Sequence, residues 1–196
     1  MKLTPESKEV FENLGPGDIA IDCGAHAGWV ALKMAERGAT VYAFEPNPNM
    51  FQILKSRFIH NTNVICINKG VWDKNDRMRL YLYPGSNTDP INHAYASSIF
   101  GNNPIIDPNL YVEIEVIDLT EFIKNLNRRI KLLKIDIEGA EFELLEKMIA
   151  LDLHTIIDKT VVETHEWLIP DSQQKLEHIN KLIQAKGITN IELNWM

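Results

Sequence analysis

The chain has 196 residues, of which 45% are hydrophobic and 24% are charged, and its formal net charge is −7. This composition excludes a disordered chain and predicts a single domain over residues 1–196. The acidic balance argues against a nucleic-acid partner, which would require clustered Lys and Arg. No apolar run is long enough for a membrane span. Since no signal peptide opens the chain and both cysteines fall in predicted strands, we expect a cytoplasmic location.

Short apolar runs alternate with helical patterns through most of the chain. This alternation predicts an α/β fold, a doubly wound and mostly parallel sheet with helices on both faces. Segments 77–83 and 111–116 differ, because each alternates between apolar and polar residues and so predicts a pair of strands with one exposed face. The other predicted strands are 19–23, 40–44, 64–67, 130–136, 159–165 and 188–195. The predicted helices begin near Thr4, Trp29, Asn47, Asp118, Glu141 and Pro170, and Gln174 completes a capping box with Asp171 in the last of them.

Residues 84–110 lie between the two alternating segments and show no periodicity. They are rich in Pro, Asn, Gly and Ser. A loop of this length in a compact domain is usually a lid or a binding element. We expect it to contact a substrate, with Tyr95-Ala96-Ser97-Ser98 reaching back over the site.

A turn with two glycines follows the first predicted strand. Gly24 and Gly28 allow the backbone to turn sharply and to approach a ligand, while the amides of the next helix point toward that ligand. The following strand ends in Glu45-Pro46, where a carboxylate can accept two hydrogen bonds from a ribose diol. The turn lacks the Gly-x-Gly-x-x-Gly fingerprint of nicotinamide cofactors. These features predict a nucleoside site and favour S-adenosylmethionine, whose aminocarboxypropyl group would lie over Gly24.

We expect this cofactor to contact the ends of several strands. Either Val71 or Trp72 could cover an adenine ring, although Trp72 could equally fill the core. The helix that begins at Thr4 is expected to pack as a flap near the cofactor edge. The candidate cofactor-binding residues are Asp22, Gly24, Ala25, His26, Gly28, Glu45, Pro46, Val71, Trp72, Ser98 and Asp136.

Acidic residues collect at the ends of the fourth and fifth strands of the predicted sheet, where ligands of such sheets bind. Asp136 is expected on the same strand face as Lys134, two residues before it. Glu138 could instead only favour the positive end of a helix dipole, and His165 could be a structural histidine at the sheet edge. The candidate catalytic residues are Asp136, Glu138, Lys134, His165 and Glu163.

The stretch Leu132-Leu133-Lys134-Ile135-Asp136-Ile137-Glu138-Gly139-Ala140-Glu141 resembles the signature of the FkbM family of S-adenosylmethionine-dependent methyltransferases. Residues 21–28, 44–48 and 162–165 match that family in order and spacing, so the resemblance covers roughly residues 18–165. It departs at His26, where the family usually has asparagine, and in the short N-terminal region. The resemblance implies the Rossmann-like fold of class I methyltransferases and methyl transfer to a hydroxyl, often on a sugar, a glycan or a polyketide-type small molecule.

An aliphatic hydroxyl needs in-line placement against the methyl group and a group that accepts its proton. Asp136 is our first choice for that acceptor. A divalent metal on Asp136, Glu138 and His165 is an alternative, because oxygen-rich clusters suit Mg²⁺ or Mn²⁺, but the sequence favours a site without a metal. Two other functions stay open: a nicotinamide-dependent oxidoreductase and a binding module without activity. The sequence does not determine the acceptor or the oligomeric state.

Overall fold

A computed structural model describes residues 4–86, 97–99, 101, 106–165 and 171–193 of the protein. Its centre is a six-stranded sheet in which neighbouring strands are parallel, in the order β3-β2-β1-β7-β8-β9. The order reverses between β1 and β7, and ligands of such sheets bind above that point. Both cysteines lie in this sheet, and neither forms a disulfide. The strands are β1 (Ile19–Cys23), β2 (Thr40–Phe44), β3 (Val64–Ile67), β7 (Ile130–Ile135), β8 (Ile157–Val162) and β9 (Ile191–Leu193).

Helices cover both faces of the sheet, which confirms the predicted fold class. Successive β1 side chains point to opposite faces, so Ala20 joins one core while Ile19 and Ile21 join the other. No helix of the described residues is both long and apolar enough to cross a membrane. The first core holds α1 (Pro5–Glu12), α2 (Trp29–Ala35) and α3 (Pro48–Arg57), and the second holds α4 (Leu119–Leu126), α5 (Glu141–Ala150) and α6 (Ser172–Ala185).

A second, three-stranded sheet has the order β4-β6-β5. Its β5 and β6 pair with each other, as predicted, and are antiparallel. The pairing of β4 with β6 is parallel, and a strand of only three residues gives no sequence signal for it. The predicted loop 84–110 is too long at its C-terminal end, because β6 begins at Asp107. Within the loop, Ser98 forms an antiparallel bridge with Tyr81. The rest of that loop, including Tyr95 and Ala96, lies outside the described residues. The strands are β4 (Gly70–Trp72), β5 (Asp76–Leu82) and β6 (Asp107–Asp118).

Two predicted strands extend too far. The pairing of β7 with β8 ends at Ile135 and Val162, whereas the predicted strands continue to 136 and 165. The last strand covers 191–193 within the predicted 188–195, of which 194–196 lie outside the described residues. The predicted capping box is also wrong: Asp171 adopts a left-handed conformation, and its carbonyl, not its side chain, accepts the Gln174 N–H at 3.0 Å.

Helix α1 lies away from the expected cofactor edge. Phe11 packs in the first core, and the N-terminal end of the helix is bound to Glu192 on β9. The Glu192 carboxylate accepts hydrogen bonds from the Thr4 N–H at 3.1 Å, from the Thr4 hydroxyl at 2.6 Å and from the Ser7 hydroxyl. It also pairs with Lys159 at 3.4 Å. This carboxylate therefore joins the first helix to the edge of the central sheet.

Replacing Glu192 with alanine should lower the free energy of unfolding by roughly 2–4 kcal/mol, because the buried Ser7 and Lys159 lose their partner. Burial would raise the pKa of Glu192, but hydrogen bonds from Ser7 and Thr4 bring it below its usual value. The stabilisation is therefore present at neutral pH and lost as the pH falls through the folded-state pKa. Urea unfolding at pH 7 and at acidic pH measures both effects.

The matched control for Glu192→Ala is Glu12→Ala, at the end of α1. The pair between Glu12 and Lys8 is exposed and spans 3.8 Å, so its loss should change stability by no more than about 0.5 kcal/mol. Equal losses for the two variants would contradict the proposed anchoring of α1.

Candidate active site

A cavity of about 280 Å³ opens at the carboxyl ends of β1, β2 and β7. The small sheet supplies an apolar wall, and the turn after β7 supplies acidic side chains. The predicted site residues that border the cavity are Gly24, His26, Glu45, Pro46, Val71, Asp136 and Glu138. Those that do not border it are Asp22, Ala25, Gly28, Trp72, Ser98, Lys134, Glu163 and His165.

The two glycines of the first turn are required for packing, and only one borders the cavity. Gly24 has a φ of +76°, and a Cβ there would lie 1.8 Å from the carbonyl oxygen of Asp136. Gly28 has a φ of +83°, and a Cβ there would lie 2.7 Å from the side chains of Leu54 and Phe58. The expectation that both glycines allow close approach of a ligand therefore applies at most to Gly24.

Glu45 closes this turn from the end of β2. Its carboxylate oxygens accept hydrogen bonds from the backbone N–H groups of His26 and Asn47, each at 2.8 Å. Burial raises the pKa of Glu45 to about 7, although these two hydrogen bonds oppose the shift. Each oxygen retains an acceptor position, so the carboxylate can still bind hydroxyl groups of a ligand.

Lys134 is buried below the cavity and does not border it. Its ammonium forms ion pairs with Asp22 at 3.1 Å and Asp136 at 3.0 Å. It also donates hydrogen bonds to the carbonyls of Gly24 at 2.8 Å and Cys23 at 3.3 Å. Burial alone would lower the pKa of Lys134, but Asp22 and Asp136 raise it above the usual value. Lys134 and Asp22 therefore influence the cavity indirectly, because Lys134 contacts Asp136 and the carbonyls of the β1 turn.

His165 faces three acidic side chains just behind the cavity. Its Nε2 lies 3.5 Å from Glu138, 3.7 Å from Asp136 and 4.0 Å from Glu163. Burial would lower the pKa of His165, but the hydrogen bond and charge of Glu141, with the other acids, raise it to about 9. Burial raises the pKa of Glu138 to about 8, with Asp136 adding to the shift and His165 opposing it. The pKa of Glu163 is also raised, by burial and by Asp136.

Glu141 has no predicted role, yet it organises the turn after β7. It is fully buried, and its carboxylate accepts the N–H of Ile137 at 2.9 Å and that of Gly139 at 3.0 Å. It also accepts a hydrogen bond from His165 Nδ1 at 2.9 Å. The sequence places Glu141 in the first turn of a helix, where an acid is usually exposed, so its burial has no local signal.

Ser98 and Trp72 lie beside the cavity without bordering it. The Ser98 hydroxyl donates to the Glu138 carbonyl at 2.8 Å, while its neighbours Ser97 and Ile99 border the cavity. Of Val71 and Trp72, Val71 borders the cavity and Trp72 does not. Trp72 is half-buried, and the Lys74 ammonium lies 4.7 Å from its ring centroid. Ser97 was expected over the site as part of the loop 84–110, and it borders the cavity; the cavity residues that sequence analysis missed are Phe44, Lys69, Gly70, Leu80, Ile99, Ile114, Val116, Ile137 and Ala140.

The model of the methyltransferase FkbM domain matches residues 22–188. The chain belongs to the FkbM methyltransferase family. A fungal relative, Methyltransferase 1 of Beauveria bassiana (strain ARSEF 2860), is 29% identical over 185 residues, which cover 85% of this chain and 70% of the relative.

Two solved structures are also similar to this FkbM chain. One is precorrin-8w decarboxylase of Methanobacterium thermoautotrophicum, with 15% identity, coverage of 95% of this chain and 74% of that one, and a TM-score of 0.46. The other is precorrin-6y C5,15-methyltransferase of Geobacter metallireducens GS-15, with 12% identity, the same two coverages of 95% and 74%, and a TM-score of 0.45. The family model, and not these superpositions, establishes the family.

Histidine fits the backbone conformation of the turn at position 26. His26 has a φ of +50°, in the left-handed region, where asparagine and histidine are both enriched among residues other than glycine. Its backbone N–H, not its side chain, binds Glu45. The backbone of His26 therefore holds the turn, and residue 26 also borders the cavity.

Replacing Gly24 with alanine should destabilise the protein by more than about 3 kcal/mol or prevent folding, because the new Cβ would overlap the Asp136 carbonyl. Gly17→Ala is the matched control: its φ is +92°, but a Cβ there meets nothing within 4 Å, so only backbone strain of about 1–2 kcal/mol is expected. Denaturant unfolding compares the two. Equal losses of stability in the two variants would show that close packing against Asp136 is not the reason for glycine at position 24.

Proposed function

We propose that this chain binds S-adenosylmethionine in the 280 Å³ cavity and transfers its methyl group to a hydroxyl of a sugar, a glycan or another small-molecule natural product. Membership of the FkbM family supports methyl transfer and argues against the nicotinamide-dependent alternative. The observation that carries the proposal is that one cavity joins the Glu45 carboxylate to the acidic side chains of Asp136 and Glu138.

The polar groups around the cavity fit this cofactor. His26 Nε2 and Ser97 Oγ are buried and have no hydrogen-bond partner among the described residues, although both side chains border the cavity. Buried polar atoms in this state are stabilised when a ligand completes their hydrogen bonds. Glu45 would hold the ribose diol, and the apolar side chains of Val71 and Val116 would hold the adenine ring.

When bound, S-adenosylmethionine supplies a methyl group on a positively charged sulfur. The work of the chain is to hold the acceptor hydroxyl in line, exclude water and accept the hydroxyl proton. Asp136 is the proton acceptor that we propose, because it borders the cavity and its carboxylate is held by Lys134 at 3.0 Å. Glu138 borders the same end of the cavity and would help to bind the acceptor.

The function is tested by incubating the protein with methyl-deuterated S-adenosylmethionine and a panel of sugars, polyols, phenols and amines. We expect mass spectrometry to detect a deuterated methyl group on a hydroxyl compound, with S-adenosylhomocysteine formed in equal amount. Transfer only to amines would contradict the proposed O-methylation. Binding of S-adenosylmethionine without transfer to any of these compounds would favour the binding module that has no activity.

Replacing Glu45 with alanine should weaken S-adenosylmethionine binding about 10- to 150-fold, because a hydrogen bond to a charged group contributes ~1.5–3 kcal/mol. Calorimetry measures the affinity. Since Glu45 also binds two backbone N–H groups, unfolding without ligand must show that the variant is folded at the temperature used. The exposed Glu36→Ala is the control, and an unchanged affinity of Glu45→Ala would contradict the ribose assignment.

Replacing Asp136 with asparagine should leave the affinity for S-adenosylmethionine within about threefold and slow methyl transfer roughly 10²–10⁴-fold. The reason is that asparagine keeps the size of the side chain but cannot accept the proton. Single-turnover transfer to the acceptor found above measures the rate, with the 62%-exposed Asp152→Asn as control. Loss of cofactor affinity with an unchanged transfer rate would move Asp136 from the catalytic role to the cofactor site.

A further inference from the structure

Asp136, Glu138 and His165 offer one ligand atom each, and these three atoms lie within 4.8 Å of one another. His165 Nε2 is 3.5 Å from Glu138 Oε2 and 3.7 Å from Asp136 Oδ1. These separations are long for hydrogen bonds. Two ligands at right angles on one ion, with bonds of about 2.1–2.4 Å, are roughly 3.0–3.4 Å apart. Both observed separations are slightly longer than this range, and they lie closer to it than to the length of about 2.7–3.2 Å of an N–H···O hydrogen bond.

The orientation of His165 is a second and independent observation. The imidazole is 3% exposed, and Nδ1 donates a hydrogen bond to Glu141 at 2.9 Å. Because Nδ1 is held in this way, Nε2 is turned toward Asp136 and Glu138. Histidines that ligate metals are usually held by a carboxylate on the opposite ring nitrogen. Glu141 is itself fixed by the backbone N–H groups of Ile137 and Gly139, so this orientation is built into the turn.

Four carboxyl groups surround the imidazole of His165. Asp136, Glu138, Glu141 and Glu163 all lie within 4.0 Å of the imidazole nitrogens. Lys134 is the buried lysine next to them, and it is already shared between Asp136 and Asp22. A bound cation would reduce the repulsion among these carboxylates.

We propose that Asp136, Glu138 and His165 bind a divalent cation of the Mg²⁺ or Mn²⁺ class and that Glu141 is the positioning residue for the ligating histidine. Two carboxylates and one imidazole suit these ions, and Mn²⁺ tolerates the nitrogen ligand well. The sequence alone favours a site without a metal, and the positions of His165 and Glu141 are what change this interpretation. Since Asp136 and Glu138 also border the cavity, the cation would lie at its acidic end. The inference does not rest on the proposed methyl transfer, because all three ligands belong to the chain itself. With the ion bound, Asp136 acts as a ligand and no longer as the proton acceptor.

The test uses Mn²⁺ with the full chain, freed of metals by a chelator and without S-adenosylmethionine. Electron paramagnetic resonance of free Mn²⁺ gives the affinity, and electron spin echo modulation detects a nitrogen ligand. We expect one Mn²⁺ per chain with ¹⁴N coupling. Glu138→Gln and His165→Gln should weaken binding about tenfold or more, and His165→Gln should also remove the ¹⁴N coupling. Glu141→Gln should weaken binding about 10- to 100-fold through the histidine.

The matched control is Glu146→Gln, on the same helix as Glu141 but 58% exposed, which should leave Mn²⁺ affinity unchanged. No saturable binding, or binding without ¹⁴N coupling that His165→Gln leaves unchanged, would overturn the proposal. If Glu141→Gln does not fold, the ¹⁴N coupling of the wild type and its loss in His165→Gln still decide the ligand set. Binding of S-adenosylmethionine in the presence of chelator separately tests the proposed function, so failure of one proposal is distinguishable from failure of the other.

Discussion

The buried ammonium of Lys134 holds the carboxyl ends of β1 and β7 together. An unpaired charge at this depth would cost several kcal/mol, so the site depends on Asp22 and Asp136 on either side of it. Lys134 also binds the carbonyls that end β1, which draws the β1 turn close to the Asp136 backbone and leaves room only for glycine at position 24. The same contact holds the Asp136 carboxylate at the edge of the cavity.

Buried charged side chains secure two further turns at this edge of the sheet. Glu45 binds two backbone N–H groups of the turns that follow β1 and β2, and Glu141 binds two in the turn after β7. Backbone groups in buried turns need such partners because neither helix nor strand supplies them. Each of these acids also contacts ligand space or a residue that faces it. The interactions that stabilise the turns therefore orient the groups of the candidate site before any ligand binds.

The cavity is also shaped by contacts between segments that are distant in sequence. The parallel pairing of β4 with β6 brings Val71 and Val116 to the same wall, although each strand alone is only a short apolar run. The bridge between Tyr81 and Ser98 places Ser97 and Ile99 at this wall, and the Ser98 hydroxyl joins it to the turn that carries Glu138. Among its described residues, the loop predicted as a lid or binding element thus supplies Ser97 and Ile99 to the cavity wall, and Ser98 holds them against the small sheet.

The sequence by itself determined the parallel sheet, the turn at Gly24, the acid that ends β2 and the acidic residues after β7, because strand and helix periods and turn residues are local properties. Only the tertiary structure decided which of these side chains meet. It buried Lys134 and Glu141 and turned His165 toward Asp136, since burial depends on what packs against a segment. It also placed α1 against Glu192 on β9, away from the cavity. Pairing between distant strands sets these contacts, and no single segment encodes them.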